Sequence, residues 1–376
     1  MVSEALLPWI ALTLLPGLGP VLQRRVLEGF REVEAIAFRL PATALASVHG
    51  IGQATAEAIV SARQEVRRAA EAEVRLCARL GIDIWTMRDA HWPAALETLS
   101  DPPILLYAKG TLPEATVRMA VVGSRRATPY GRRVAAGLGA GLALRGIEVV
   151  SGGARGIDTA AHLGALEAGG RTVAVLGSGL ARPYPTENAT LFARMADAGA
   201  VISEFPLETS PVPENFPRRN RLISGLSAAV VVVEATAKSG SLLTAAHALD
   251  QGRDVLAVPG PVSSPQSEGC HRLIQQGARL VQGVEDVLAE LGPMYAGSVR
   301  PVPVAGVPEV PLDMSEDEKQ VLCLLQDPEP VHLDALAEAA PFGVARLQAA
   351  LFGLEARGAV DPLPGRYYVA APRKET

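Results

Sequence analysis

Short apolar runs alternate with stretches of helical periodicity through the middle of the chain. Four of these runs are rich in β-branched residues, and they are Met119–Val122, Ile147–Val150, Thr172–Leu176 and Ala229–Val233. Continuous apolar runs of this length are typical of parallel strands that are buried on both faces. The pattern therefore predicts an α/β domain with a doubly wound, mostly parallel sheet over residues 80–291.

The first 79 residues carry helical periodicity that is broken by two similar turns. The turns are Leu15–Gly19 and Val48–Gly52, and each places an apolar residue between two glycines. This arrangement indicates helix-hairpin-helix turns, whose N–H groups can hold a duplex phosphate. A small helical bundle whose tight turns require glycine is the other interpretation, since few lysines or arginines flank the turns.

The C-terminal part of the chain has the pattern of a winged helix. Ser315–Glu318 forms a capping box, two more helices are expected at His332–Ala339 and Gly343–Arg357, and a hairpin follows. A Pro- and Val-rich linker is predicted at 292–311, so that this domain spans 312–376. Ten acidic and three basic residues lie between Asp313 and Asp361, which favours a structural or protein-contact module over a DNA-binding one.

Composition narrows the classes of function. The formal net charge of −5 excludes a protein that coats nucleic acid by bulk electrostatics, so any nucleic-acid site must be a local basic patch. Three scattered cysteines without CxxC spacing argue against a structural metal or a disulfide framework. Neither a signal peptide nor a membrane-spanning run is recognisable, and the expected location is the cytoplasm.

Glycine-rich turns follow the apolar runs and carry the candidate chemistry. Gly123–Arg125 follows the first run, Ser151–Gly156 the second, Gly177–Gly179 the third, and Lys238–Ser241 comes shortly after the fourth. Glycines at the carboxyl ends of parallel strands let the backbone approach a ligand and direct N–H groups at it. The four turns are therefore predicted to line one crevice that binds phosphate groups.

The second turn excludes two familiar phosphate-binding classes. Its spacing departs from G-x-G-x-x-G, the acidic residue expected after the next strand is missing, and no GxxxxGK[ST] occurs in the chain. Asp158 and His162 are four residues apart, and we interpret them as a helix-start carboxylate and a packing histidine rather than an acid–base pair. With no catalytic constellation recognisable, the sequence indicates binding without turnover and no cofactor.

The densest basic stretch is Asn215–Gly225. Arg218, Arg219 and Arg221 lie within four positions of one another, and Phe216 precedes them. An aromatic ring beside a basic groove can hold a single strand without sequence preference. The alternative is that Phe216 belongs to the core and the arginines form salt bridges.

Several long segments resemble the DNA-processing protein A (DprA/Smf) family. They are Ser151–His162, Phe216–Ser227, Glu234–Ala235 with Ser239–Ala245, and Val258–Gly260, in the order that the family has them. The resemblance covers residues 80–290 and implies an extended Rossmann-like domain. It also implies a strand-binding pocket made by Ser124, Arg125, Gly152, Gly153, Arg155, Phe216, Arg218, Asn220, Arg221, Lys238, Ser239 and Gly240.

The same resemblance implies a function and partners. Members bind single-stranded DNA, protect incoming strands and help to load a RecA-type recombinase during natural transformation, and they dimerise through the Rossmann-like domain without acting as enzymes. This chain has Ala189 where many members have a lysine, so that contact is either lost or supplied by Arg182 or Arg194.

Two other hypotheses remain open on the sequence. One is a nucleotide-processing enzyme of the lysine-decarboxylase-like group, such as a phosphoribohydrolase, although the PGGxGTxxE motif of that group is missing. The other is a duplex-binding regulator that acts through its winged helix, which the acidic composition of that domain disfavours.

Overall fold

The computed structural model describes residues 4–113, 117–291, 314–325, 330–356, 359–363 and 365–370. The predicted linker at 292–311 lies outside these residues. The chain divides into two compact units, Met1–Arg300 and Pro301–Thr376. Within the described residues, no helix combines the length and the apolar character needed to cross a membrane.

The N-terminal region is helical, as its periodicity predicts. After a short 3-10 turn, its described helices are α1 (Leu7–Leu14), α2 (Pro20–Phe30), α3 (Val33–Phe38), α4 (Ala42–Ala46) and α5 (Gln53–Leu80). Helix α5 ends at Gly81, which adopts a left-handed conformation that glycine tolerates (φ 62°).

The two glycine turns of this region pack against each other's following helix. A Cβ on Gly17, in the first turn, would lie 2.8 Å from Thr55 Cγ2 at the start of α5. A Cβ on Gly50, in the second turn, would lie 2.9 Å from Leu22 Cδ2 on α2. Both glycines also have positive φ, so the turns need glycine for conformation as well as for space.

A nine-stranded sheet forms the centre of the first unit. Its strands are β1 (Asp83–Thr86), β2 (Leu105–Gly110), β3 (Arg118–Val122), β4 (Glu148–Ser151), β5 (Thr172–Val175), β6 (Ala200–Ser203), β7 (Ala229–Val232), β8 (Asp254–Ala257) and β9 (Arg279–Leu280). The strand order is β1-β2-β6-β5-β4-β3-β7-β8-β9. All pairs from β6 to β9 are parallel, whereas β2 is antiparallel to both β6 and β1. This confirms the mostly parallel sheet.

Helices cover both faces of this sheet, so it is doubly wound. The helices are α6 (Pro129–Leu144), α7 (Ile157–Glu167), α8 (Ala189–Ala198), α9 (Asn215–Gly225), α10 (Ser241–Asp250), α11 (Glu268–Gln275) and α12 (Val284–Leu291). Helices α6, α7, α8 and α12 pack on one face, and α9, α10 and α11 pack on the other. Every residue of β3, β4, β5 and β7 is buried, because each strand contacts helices on both sides.

The helical region and the sheet share one hydrophobic core. Leu105 and Tyr107 of β2 pack with residues of α1 to α5. Glu73 on α5 accepts a hydrogen bond from the Leu207 N–H at 3.2 Å, which joins the helix to the loop after β6. Burial raises the pKa of Glu73.

The second unit has the winged-helix pattern that the sequence predicts. Its described elements are α13 (Glu316–Leu324), β10 (Val331–His332), α14 (Leu333–Ala339), α15 (Val344–Ala356), β11 (Val360–Leu363) and β12 (Tyr367–Ala370). The capping box at Ser315 is present, with hydrogen bonds in both directions between Ser315 and Glu318. The three strands form a sheet in the order β10-β12-β11.

Candidate nucleic-acid interface

A cleft of about 780 Å³ opens where β3 and β7 end at the carboxyl edge of the sheet. Its walls come from the turn after β3, from α9 and from the turn before α10. Half of the predicted site residues line it, and they are Ser124, Arg125, Phe216, Asn220, Ser239 and Gly240. The connection after β3 leads to a helix on one face of the sheet, and the connection after β7 leads to a helix on the other face. Open α/β sheets bind ligands at such a position.

The turn after β3 contributes exposed cations to this cleft. Arg125 lies over the Phe216 ring, with its Cζ 4.8 Å from the ring centroid. Arg126 also lines the cleft, and the Ser124 hydroxyl accepts its backbone N–H at 3.1 Å. Within the described part of the chain, neither arginine forms an ion pair, so both guanidinium groups are available to an anion.

The N-terminus of α6, which the same turn precedes, is closed to anions. Glu234 at the end of β7 accepts hydrogen bonds from Thr128 N at 2.9 Å and from Thr128 Oγ1 at 2.5 Å. The Glu234 side chain is buried, and it satisfies the Thr128 donors at the start of α6. The sequence offered no partner for Glu234, because Thr128 is 106 positions away.

The N–H groups of the second turn are also occupied by a carboxylate of the protein. Asp158 accepts hydrogen bonds from the backbone N–H of Gly152 at 3.1 Å and of Ala154 at 3.3 Å. A Cβ on Gly152 would lie 2.6 Å from Arg219 Nη2 and 2.8 Å from Asp158 Oδ2, so glycine is required there. Burial raises the pKa of Asp158, and the positive charge of Arg219 acts in the opposite direction. The interpretation of Asp158 as a helix-start carboxylate agrees with these contacts.

Arg219 lies beneath the cleft and supports it. Its buried guanidinium donates to the carbonyl oxygen of Gly152 at 2.8 Å and to that of Val175. Burial lowers the pKa of Arg219 to about 10, with Asp158 opposing this shift and Arg125 adding to it. Arg219 therefore remains charged at neutral pH and holds the second turn against α9.

Gly152 and Arg155 line a smaller cavity of about 200 Å³ that shares Arg125 and Phe216 with the cleft. Arg155 pairs with Glu187 at the surface and lies 5.9 Å from the Tyr184 ring centroid. Gly153 does not line either space, because it packs against Phe192 and its carbonyl accepts a hydrogen bond from Asn188 at 3.0 Å.

The arginine-rich segment divides its side chains between the surface and the interior. Arg218 is exposed, and its Cζ lies 5.2 Å from the Phe205 ring centroid. Arg221 points inward and forms ion pairs with Asp101 at 2.8 Å and Glu204 at 2.6 Å. Neither residue lines the cleft, and the Arg221 guanidinium, which was predicted to contact phosphate, is engaged in these ion pairs instead of facing the cleft. The salt-bridge alternative thus describes Arg221.

The turn before α10 is the open one. The hydroxyls of Ser239 and Ser241 are 2.8 Å apart, and Asn220 Nδ2 donates to the Gly240 carbonyl at 3.3 Å. The first turn of α10 contains no acidic residue. Lys238 is exposed directly before the cleft-lining Ser239, and it forms no ion pair within the described residues. The positive end of the α10 helix dipole and the Lys238 ammonium group thus lie beside the same wall of the cleft.

The third glycine turn does not reach the cleft. Gly177 packs beneath the Phe216 ring, where a Cβ would lie 2.8 Å from Phe216 Cδ1. His162 is fully buried, and its Nδ1 lies 2.6 Å from Thr172 Oγ1. Burial lowers the pKa of His162 to about 3, as expected for a packing histidine. Among the described residues, no group of three or more His, Cys, Asp or Glu side chains is arranged to hold a metal ion.

Family models match three successive parts of the chain. The model for DNA recombination-mediator protein A matches residues 83–292, the model for the DprA winged helix domain matches 307–366, and the model for a SAM-like helix-hairpin-helix tandem matches 10–65. The first match covers more than half of the chain and contains the cleft.

Individual relatives agree with these matches. A putative DNA processing protein DprA of Mycobacterium tuberculosis is 39% identical over 325 residues, which are 82% of each chain. Protein Smf of Escherichia coli is 41% identical over 286 residues, covering 73% of this chain and 74% of its own.

Two solved structures are similar. DprA of Streptococcus pneumoniae has a TM-score of 0.66 and 35% identity, over 77% of this chain and 99% of that one. DNA processing protein A of Helicobacter pylori, solved for its single-stranded DNA binding mode, has a TM-score of 0.50 and 30% identity, over 56% of this chain and 95% of its own. On these matches, the chain belongs to the DprA/Smf family of DNA-processing, recombination-mediator proteins.

Proposed function

We propose that the chain binds single-stranded DNA in the cleft and acts as a non-enzymatic mediator of recombination. The phosphates of the strand lie against Arg125, Arg126, Lys238 and the start of α10, and a base stacks near Phe216. The observation that carries this proposal is the cleft itself, where exposed cations without an ion-pair partner in the described chain adjoin an aromatic ring and an uncapped helix N-terminus.

The charge distribution supports a local site of this kind. The chain as a whole is acidic, so a strand is attracted only where arginine and lysine are free of carboxylates. Arg125 and Lys238 meet this condition, whereas Arg155 and Arg221 are paired with acidic side chains. We therefore assign phosphate binding to the first pair and a supporting role to Arg221.

Membership of the family supports a proposal for the partners and the process. We propose that the protein protects incoming strands during natural transformation, dimerises through the Rossmann-like domain and helps to load a RecA-type recombinase. Absence of turnover is part of the proposal, and two observations support it: the Asp158 carboxylate at the cleft lining is occupied by the N–H groups of Gly152 and Ala154, and His162 is fully buried.

A salt titration with labelled oligothymidylate tests the site. Four neutralised phosphates would give a slope of log affinity against log salt near −3, at about 0.7 per contact. The double variant Arg125→Gln, Lys238→Gln should weaken binding at all salt concentrations and flatten the slope by about 1.4. Fluorescence anisotropy at several ionic strengths provides both numbers.

Arg132→Gln is the matched control, because Arg132 is an exposed arginine on α6 that does not line the cleft. This variant should bind like the unmodified protein. Full affinity and an unchanged slope in the double variant would show that the strand binds elsewhere. Release of free base from nucleoside monophosphates would instead favour a nucleotide-processing enzyme.

A further inference from the structure

A second basic groove lies in the helical region, outside the cleft. Its volume is about 1080 Å³. Parts of α1, α2, α3 and α5 line it, together with Arg88, which lies two residues after β1. Four exposed arginines contribute to its walls, and they are Arg31, Arg67, Arg75 and Arg88. Within the described residues, none of the four forms an ion pair.

Two of these arginines lie on aromatic rings. Arg67 Cζ is 4.2 Å from the centroid of the Phe38 ring, and Arg88 Cζ is 5.3 Å from that of the Trp9 ring. The cleft has the same combination of a guanidinium on an aromatic face, at 4.8 Å between Arg125 and Phe216. The Trp9 ring is buried, whereas the Phe38 ring is half-buried, so Phe38 is the ring of this groove that can offer a stacking surface to an unpaired base.

The acidic side chains of the groove are largely neutralised. Glu32 and Glu34 line it, but Arg39 lies 2.5 Å from a carboxylate oxygen of Glu32 and 3.9 Å from one of Glu34. Glu71 is the remaining acidic residue of the lining. The groove is therefore locally positive, in a chain whose formal net charge is −5.

The topology places the groove at the same edge of the sheet as the cleft, with β1 five strand positions from β3, or about 24 Å at roughly 4.8 Å per strand. Strand β1 runs in the same direction as β6, because β2 is antiparallel to both, so the end of β1 before Arg88 lies at the carboxyl edge of the sheet. On α5, Glu73 bonds to the Leu207 N–H, and Pro211 already lines the cleft. Four residues of extended chain span at most about 14 Å, so this part of α5 lies within that distance of the cleft rim, apart from the length of one side chain.

We propose that the groove is a second contact site for single-stranded DNA, which a strand reaches after it has filled the cleft. Arg67 and Arg75 neutralise its phosphates there, and Phe38 offers a face on which a base can stack. This inference rests on the proposed binding of single-stranded DNA in the cleft. An acidic segment of a partner protein is the competing occupant, but it would not require an aromatic face such as that of Phe38 beside the arginines.

Oligothymidylates of two lengths test the proposal with the full-length protein. An oligomer of about 6 nucleotides fills the cleft alone, and one of about 20 reaches the groove as well. The double variant Arg67→Gln, Arg75→Gln should bind the short oligomer normally. With the long one, its salt slope should be flatter by about 1.4 and its affinity at 0.1 M salt about 25-fold lower, the counterion contribution of two phosphates.

Arg68→Gln is the control on the same helix, because Arg68 is exposed and does not line the groove. An unchanged slope and affinity for the long oligomer in the double variant would overturn the proposal. The same result accompanied by impaired recombinase loading would assign the groove to a protein partner instead. The Arg125→Gln, Lys238→Gln variant keeps the two ideas apart, since it should weaken binding of both lengths.

Discussion

The second glycine turn and the turn before α10 are alike in sequence but opposite in use. Each places glycine and small polar residues between a strand and a helix. In the second turn, Asp158 accepts hydrogen bonds from the N–H groups of Gly152 and Ala154, and Arg219 donates one to the Gly152 carbonyl oxygen. In the α10 turn, the first helical turn has no carboxylate, and Ser239 and Gly240 line the cleft.

The difference shows that a glycine-rich turn can bind an anion only where no carboxylate of the protein already neutralises it. The second turn has a structural role, since it fixes the relative positions of β4, α7 and α9 through one buried carboxylate and one buried guanidinium. The N–H groups at the start of α10 bond only to neutral oxygen atoms of Ser239 and Gly240, so no carboxylate competes with an anion there. The comparison predicts that substitutions in the first should change stability and that substitutions in the second should change binding.

The largest effect is expected from Asp158→Asn. The change removes the negative charge that lies near the buried Arg219 guanidinium and weakens the two backbone hydrogen bonds that the carboxylate accepts, which together cost about 3 kcal/mol of unfolding free energy. Asp250→Asn, on the exposed surface of α10, is the control and should change it by less than about 0.5 kcal/mol. Urea denaturation measures both. A loss below about 1 kcal/mol for Asp158→Asn would mean that the carboxyl group is already neutral in the folded protein.

A smaller effect is expected from alanine at the two glycines. Gly152→Ala brings a methyl group against Arg219 and Asp158, and overpacking of this kind costs about 2 kcal/mol. Gly240→Ala meets no atom within 4 Å and has φ −62°, so its effect should stay within about 0.5 kcal/mol. Equal thermal midpoints for the two variants would contradict the distinction between the turns.

The smallest effect, taken per pH unit, is the pH dependence of stability. Burial lowers the pKa of His162, one turn after Asp158, to about 3 in the folded protein, from the usual 6.5 of an exposed histidine. The unfolded chain therefore binds the additional proton between these pH values, and stability should fall as pH is lowered from 6.5, by up to about 1.4 kcal/mol per pH unit. His162→Gln should remove this part of the slope in urea titrations at pH 4.5–6.5. His247→Gln, on α10, should leave the slope in place, and a slope that survives in His162→Gln would assign it to other groups.

The architecture could be predicted from the sequence because it depends on local patterns. All four β-branched runs form strands. They are short and do not alternate with polar residues, so both faces of each strand can be buried. The capping box at Ser315 likewise lies within four consecutive residues. The positions of strands and helix starts are thus set by neighbours along the chain.

Which charged residues form internal bonds and which remain exposed could not be predicted, because their partners are distant in sequence. Arg221 is paired with Asp101, 120 positions earlier, and nothing in the local arginine cluster distinguishes it from the exposed Arg218. Glu234 likewise accepts a hydrogen bond from Thr128, which is distant from it in sequence. Sequence reasoning identified the segments that form the cleft, but only the fold shows which of their donors are free.

The buried ion pair of Arg221 has a kinetic consequence. With Arg219 and Arg221 anchored in the interior, α9 cannot turn about its axis, so Phe216 and Asn220 face the cleft before any ligand arrives. A wall that is already in place requires no rearrangement during an encounter, and the rate of capture is then governed by diffusion and long-range attraction. Added salt should consequently slow association of a strand more than it hastens its departure.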